Sequence, residues 1–259
     1  MSKKLAAYTA IGLLFSIWAH ADEASAINIA GQQRMLSQRI VKSYCQVGLN
    51  ILPVRSQNQL NQAIQAFDGN LKQLELVVKK PETKQSLADL RESWMPLRRG
   101  AQGAITPAIA RILDLQAEAV LRAADQLTAE LQDQSTSPLS RWVNTSGRQR
   151  MLSQRLVKAY MLRLMDQDTA SKRQELESAS HEFSGALSKL KLRKENSEEI
   201  QAEITALSTQ WDWLQAALAS DGAVDYRLII AESSDIVLEL ADRVTSLIAQ
   251  SEQETASKN

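Results

Sequence analysis

The chain has 259 residues, 30 basic and 30 acidic side chains, two histidines and one cysteine. Formal neutrality removes the polycationic signature of a nucleic-acid or anionic-membrane partner, so any anion it holds must be drawn by a local arrangement of charge. Cys45 has no second cysteine to pair with. A metal site with several His or Cys ligands is out of reach, a catalytic triad would have to be built on a single histidine, and no enzyme is expected.

The first 21 residues read as an export signal. Lys3 and Lys4 supply the positive start, 5–18 is an uncharged and mostly apolar run, and Ala19-His20-Ala21 is the small-x-small pattern that signal peptidase cuts. The alternative is an uncleaved anchor, but fourteen residues fall short of the ~20 that a spanning helix needs. Removal of the segment takes His20 with it, leaves His181 as the only histidine, and leaves two more acidic than basic side chains. The mature chain, 22–259, is expected to be a soluble periplasmic protein with no membrane insertion after cleavage.

Taken in order, the remaining segments predict helices near 27–47, 56–79, 82–95 and 107–133, then 140–165, 170–194, 197–219 and 224–252. Helix-breaking signals separate them at 48–53, 80–81 and 100–107, and again at 166–169, 195–197 and 220–222. Pro107 after Thr106 fits the first turn of a helix, where a missing N–H costs nothing. Cys45 falls on an apolar-rich helix as a buried, inert thiol, with an intermolecular disulfide as the alternative. In the fourth stretch Ile109, Leu113, Gln116, Val120, Ala124, Leu127 and Leu131 step by four and three, as do Ile230, Ser233, Val237, Ala241, Val244 and Ile248 in the eighth. Both are bundle seams, each with a polar residue in the same slot.

The two sets of four are copies. Residues 28–44 read NIAGQQRMLSQRIVKSY and residues 144–160 read NTSGRQRMLSQRLVKAY, with twelve of seventeen positions identical at an offset of 116. Phe67, Gly69, Leu71 and Leu74 recur as Phe183, Gly185, Leu187 and Leu190. After one inserted residue, Trp94 and Leu97 recur as Trp211 and Leu214, and Ala124-Asp125 as Ala241-Asp242. The segment 132–138 (QDQSTSP) is the linker, so the chain divides into a signal (1–21), a first repeat (22–136) and a second (137–259). Each repeat is a four-helix bundle in an all-α protein.

The matched helix carries the candidate chemistry. Gly31, Arg34 and Ser37 or Gln38 share one face, as do Gly147, Arg150 and Ser153 or Gln154; Ser37 and Ser153 are the candidates carried forward. Arg39 and Arg155, five residues beyond each arginine, point elsewhere. A glycine inside a helix costs ~1 kcal/mol relative to alanine, and close approach to its backbone is one reason to keep it. An arginine one turn later presents a planar fork of donors suited to a planar oxyanion. The competing reading is structural: bundle arginines commonly reach water or pair with a carboxylate.

The pattern N-x-A-G-x-Q-R-M-L-S-Q-R resembles the PilJ-type N-terminal sensory domain of type IV pilus chemotaxis transducers, related to the corresponding helix of nitrate/nitrite sensor histidine kinases. That resemblance implies a periplasmic helical bundle in which the first-helix arginine and the backbone near the motif glycine bind nitrate across a dimer interface. Carried onto this chain, the positions are Gly31 and Arg34, and Gly147 and Arg150. Thr145-Ser146 stands where the first copy has Ile29-Ala30, a modest departure. With both copies on one chain, the resemblance implies two tandem four-helix-bundle repeats forming an intramolecular pseudo-dimer, Arg34 facing Arg150. Two facing guanidiniums repel, so the empty site is expected to be the less stable state. Family receptors continue into a second membrane span and a signalling region, which this chain is expected to lack. The expected function is periplasmic binding or sensing of a small oxyanion, nitrate or nitrite first, without a cofactor, read by a membrane receptor or transporter. The alternative is a ligand-free helical module that docks on a membrane receptor or pilus component.

Overall fold

A computed structural model describes the backbone of residues 3–137, 140–220 and 224–258, and the side chains of 24–137, 140–220 and 226–251. The side chains of the expected signal, and the breaking residues Pro138 and Gly222, lie outside the described residues. Among the described residues eight α-helices follow one another: α1 (Lys3–Gly48), α2 (Pro53–Val77), α3 (Pro81–Ala101), α4 (Pro107–Gln134), α5 (Ser140–Leu162), α6 (Ala170–Lys191), α7 (Glu198–Ala219) and α8 (Val224–Lys258). One π-helical turn, Arg163–Gln167, ends α5, and no strand occurs among the described residues.

The starts are chemically defined. Thr106, Thr169 and Ser197 each accept a hydrogen bond from the backbone N–H three residues on, opening α4, α6 and α7. Pro53, Pro81 and Pro107 occupy first helical positions, as their fixed φ and missing donor allow. Asn50 and its counterpart Asp166 both take left-handed backbone in the turn after the motif helix, with φ of 57° and 59°. Two short polar side chains therefore make the same reversal in both repeats.

Two boundaries differ in an instructive way from the sequence expectation. The third helix does not stop near 95 but runs through Pro96 to Ala101. Pro96 sits on the solvent face, where the carbonyl it leaves unpaired meets water, while Trp94, Leu97 and Ala101 bind the last turns to the core. The fifth helix gives up α geometry at Leu162 rather than 165, as Met165 and Asp166 leave helical φ/ψ. No break separates the expected signal from the motif helix, since α1 is continuous from Lys3 to Gly48.

Within each repeat the helices close into a bundle. α1 packs on α2 and α4 and α3 on α4; α5 packs on α6 and α8 and α7 on α8. The expected seams point inward: Leu113, Val120, Ala124 and Leu127, and Ile230, Val237, Ala241, Val244 and Ile248, are buried. Across from them lies one mirrored aromatic pair per repeat. Phe67 stacks on Trp94 with ring centroids 3.9 Å apart, and Phe183 on Trp211 at 3.8 Å. The indole N–H of Trp94 donates to Asp68 and that of Trp211 to Ser184. Cys45 is buried and free, and burial raises its thiol well above the usual range, in keeping with an inert role.

The two bundles are joined side by side. α1 lies along α5, and this contact is as extensive as any within a repeat. The motif helices are therefore the shared wall of an intramolecular pseudo-dimer, buried from both sides. Both Trp94→Ala and Trp211→Ala should cost about 3–5 kcal/mol, as expected for a large core aromatic. The exposed Trp213→Ala should stay within ~0.5 kcal/mol. Urea unfolding of the three variants checks this, and unequal costs for Trp94 and Trp211 would contradict the structural equivalence of the repeats.

Candidate functional site

Four cations of the matched motif, Arg34, Lys42, Arg150 and Lys158, are almost entirely buried along the shared wall. A buried charge needs a partner and hydrogen bonds, and the partners come largely from other helices. Arg34 donates from Nη1 to Asp125 of α4 at 2.9 Å and from Nη2 to Asn144 of α5 at 2.8 Å. Arg150 repeats this with Asp242 of α8 at 2.6 Å and Asn28 of α1 at 2.7 Å. Each guanidinium is thus held by an aspartate of its own repeat and an asparagine of the other. Gln132 accepts from the Asn144 amide nitrogen at 2.7 Å, which fixes the oxygen toward Arg34.

Both arginines converge on the motif glycine. A Cβ built on Gly31 would lie 3.1 Å from Nη2 of Arg34 and 3.9 Å from Nη2 of Arg150. On Gly147 it would lie 3.0 Å from Nη2 of Arg150. The glycines are therefore there to let guanidinium rest on helix backbone. Burial pulls both arginines below their ordinary value; Asp125 and Asp242 oppose this, and Arg148 and Arg150 add to the lowering at Arg34. The Nε–H of each is buried and without a hydrogen-bond partner.

Four of the six residues singled out by sequence, Gly31, Arg34, Gly147 and Arg150, meet at this seam. Ser37 and Ser153 are engaged within their own helices: each hydroxyl donates to the carbonyl of its own Arg34 or Arg150 and accepts from the adjacent Gln38 or Gln154. Their hydrogen bonding is satisfied within the helix packing. The expected repulsion between bare guanidiniums is also revised, because Asp125 and Asp242 give each arginine a carboxylate without any ligand. Asp125 and Asp242 remain 38% and 55% exposed, so water can take over either carboxylate if its arginine is engaged elsewhere.

A second tier of charge lies one to two turns further along, around the lysines. Lys158 Nζ lies 2.7 Å from Asp114, 2.7 Å from Glu118 and 2.8 Å from Glu175. Those carboxylates lie close enough together to cage a metal ion, but the cation between them is the lysine ammonium. Arg155 pairs with Glu118 and Glu175, and Lys172 with Asp114 and Glu175. Burial lowers the tendency of Lys158 to hold its proton, but the three carboxylates outweigh it and raise the pKa. The equivalent Lys42 donates to Asp235 at 2.8 Å and Ser234 at 3.2 Å, and burial leaves its pKa lowered.

Sequence reasoning passed over Asn28, Asn144, Asp125, Asp242, Lys42 and Lys158. All six recur between the copies, and Asn28/Asn144 open the matched segment itself. The signal was available; the pairing was not, because each arginine's asparagine belongs to the other repeat.

The chain is thus a duplicated helical bundle with charged residues sealed into the wall between its copies. The family model described as Type IV pili methyl-accepting chemotaxis transducer N-term, PilJ, matches residues 15–137 and again 134–232, and the chain belongs to this family. The resemblance carried by the repeated motif is thereby borne out over both copies. No curated protein and no solved structure matches the chain. No helix among the described residues is long and apolar enough to cross a membrane.

Burial raises the Glu175 pKa, but Lys158 and Lys172 outweigh it and bring it down from 4.5 to about 2. A depressed carboxylate contributes stability that is complete above its unfolded value and is lost as pH falls through its folded value. Thermal unfolding of the wild type should therefore lose stability between pH 4.5 and about 2. Glu175→Gln should be less stable at neutral pH and lose less over that window. Parallel curves for the two proteins would contradict the assignment.

Proposed function

We propose that this chain is a sensory module for a small planar oxyanion, nitrate or nitrite first, engaged by Arg34 and Arg150 at the seam between the repeats. The observation that carries this reading is the convergence of two buried guanidiniums on the backbone of Gly31, each with an Nε–H unpartnered. A planar anion offers oxygens to two planar forks at once and spreads one negative charge between two cations. In the ligand-free state Asp125 and Asp242 act as internal competitors. Anion binding weakens their hold on Arg34 and Arg150, and they sit on α4 and α8, the helices that close each bundle. Loosening at these two helices is then the signal, read by a membrane receptor or transporter.

We also infer that the module works outside the cytoplasm. Lys3, Lys4, the apolar run and Ala19-His20-Ala21 support export with cleavage after Ala21. Sequencing of the exported protein should begin at Asp22, and recovery of the full-length chain only in membranes would favour an anchor.

Calorimetric titration of nitrate and nitrite tests the site. Replacing either Arg34 or Arg150 by alanine should cost one charge-assisted interaction, on the order of 1.5–3 kcal/mol or roughly ten- to hundredfold in affinity. Lysine should rescue only in part, since it lacks the fork. Gly31→Ala separates binding from folding: the helix gains up to ~1 kcal/mol, while the new methyl displaces the Arg34 Nη2 it meets at 3.1 Å and weakens binding. Asp125→Asn should bind more tightly, because a charged competitor is gone. Affinity unchanged in both alanine variants, or no anion bound by the wild type, would overturn the reading.

A further inference from the structure

The two repeats differ most where their lysine tiers should match, and the difference has a chemical sense. Around Lys158, Arg155 Nε donates to Glu175 at 3.2 Å, and Glu118 and Asp114 of the first repeat with Glu175 of the second together answer Arg155, Lys158 and Lys172. At the matching positions around Lys42, Arg39 replaces Arg155 in kind, but Gln59 stands for Glu175 and Ala231 of the second repeat for Asp114 of the first. Asp235, matching Glu118, is the acid shared by Lys42 and Arg55, and it also accepts from Gln59 at 2.6 Å. Lys42 and Arg55 therefore share one carboxylate where the tier around Lys158 has three. Arg39 Nε is left buried and without a partner, the one donor whose counterpart is satisfied by Glu175.

The partly exposed Arg39 lies at an open cleft of about 590 Å³ at the start of α2, lined also by Arg55, Gln59 and Asn58 with Leu52 and Val54 as an apolar rim. The N-cap of α2, Leu52, offers no side-chain acceptor and holds left-handed backbone at φ 46°, whereas Thr169 caps α6. The first turn of α2 thus adds its positive end to the cleft. A cleft of this size is ordinary for a small-molecule ligand.

We infer that the cleft between Arg39 and Arg55 is a second ligand site, distinct from the Arg34–Arg150 seam, that takes the carboxylate of a small organic acid in the place Glu175 fills in the other repeat. The carboxylate accepts from the Arg39 guanidinium and faces Arg55 and the α2 N-terminus, while the acid's apolar body lies on Leu52 and Val54. The second repeat, with its own Glu175 in place, is closed to such a ligand.

Acetate, succinate and benzoate, each as sodium salt against a sodium chloride control, can be titrated into the full chain by calorimetry and thermal shift. One site is expected, with benzoate binding more tightly than acetate because of the apolar rim. Arg39→Ala should lower affinity roughly tenfold or more. Gln59→Glu should abolish binding and raise the melting temperature in the absence of ligand, by supplying the missing carboxylate internally. Arg34→Ala should retain carboxylate binding even if it loses nitrate, so failure of one site is separable from failure of the other. No binding of any of the three acids, equal binding by Arg39→Ala, or full binding by Gln59→Glu would each overturn the proposal.

Discussion

Burial of positive charge in the wall between the repeats is the constraint on which the structure depends. Arg34, Arg150, Lys42 and Lys158 sit on α1 and α5 with essentially no exposure, in a protein that is neutral overall. Each would be prohibitively costly alone, and each is answered by groups on helices that must arrive in register. Asp125 and Asp242 bring α4 and α8 against the arginines; Asn28 and Asn144 lock α1 to α5. The polar network thereby specifies which face of each motif helix meets its twin, something apolar packing alone leaves loosely defined.

Duplication gives that network a pseudo-twofold plan. Gln33 and Gln149 donate to the carbonyls of Phe67 and Phe183, and Gln38 and Gln154 reach the carbonyls of Ala117 and Ser234. With the Phe–Trp stacks, these repeat one design twice. Divergence is concentrated in the lysine tier. There the tier around Lys158 is closed by Asp114, Glu118 and Glu175, and the tier around Lys42 leaves Asp235 to serve Lys42 and Arg55 beside an unpartnered Arg39 Nε. A duplicated site in which one copy is internally complete shows what chemistry completes the other.

The arrangement also links local charge to helix position. Asp125 and Asp242 stand at the outer edge of the seam, partly in water, while the arginines they hold are sealed within it. A carboxylate so placed loses little by turning to solvent, whereas a buried guanidinium must be engaged by something. The choice of partner for Arg34 and Arg150 is thus coupled to how tightly α4 and α8 are held.

The sequence by itself determined the helical class, the duplication, the order of eight helices and the face on which Gly31, Arg34, Gly147 and Arg150 lie. These follow from short-range rules: apolar spacing at three and four, Pro and Gly breaks, and a motif copied at fixed offset. It placed the third helix's end too early because Pro96 reads as a breaker, and only burial of Trp94, Leu97 and Ala101 shows why the helix persists. It grouped Ser37 and Ser153 with the arginines because spacing gives a face but not a rotamer, and their hydroxyls turn back to the helix. Tertiary structure alone decided that Asn144 serves Arg34 and Asn28 serves Arg150, and that Glu175 but not Gln59 satisfies the arginine beside it. Those partners are distant in sequence and meet only once α1 and α5 have packed, because a buried charge is answered by whatever lies nearest in space.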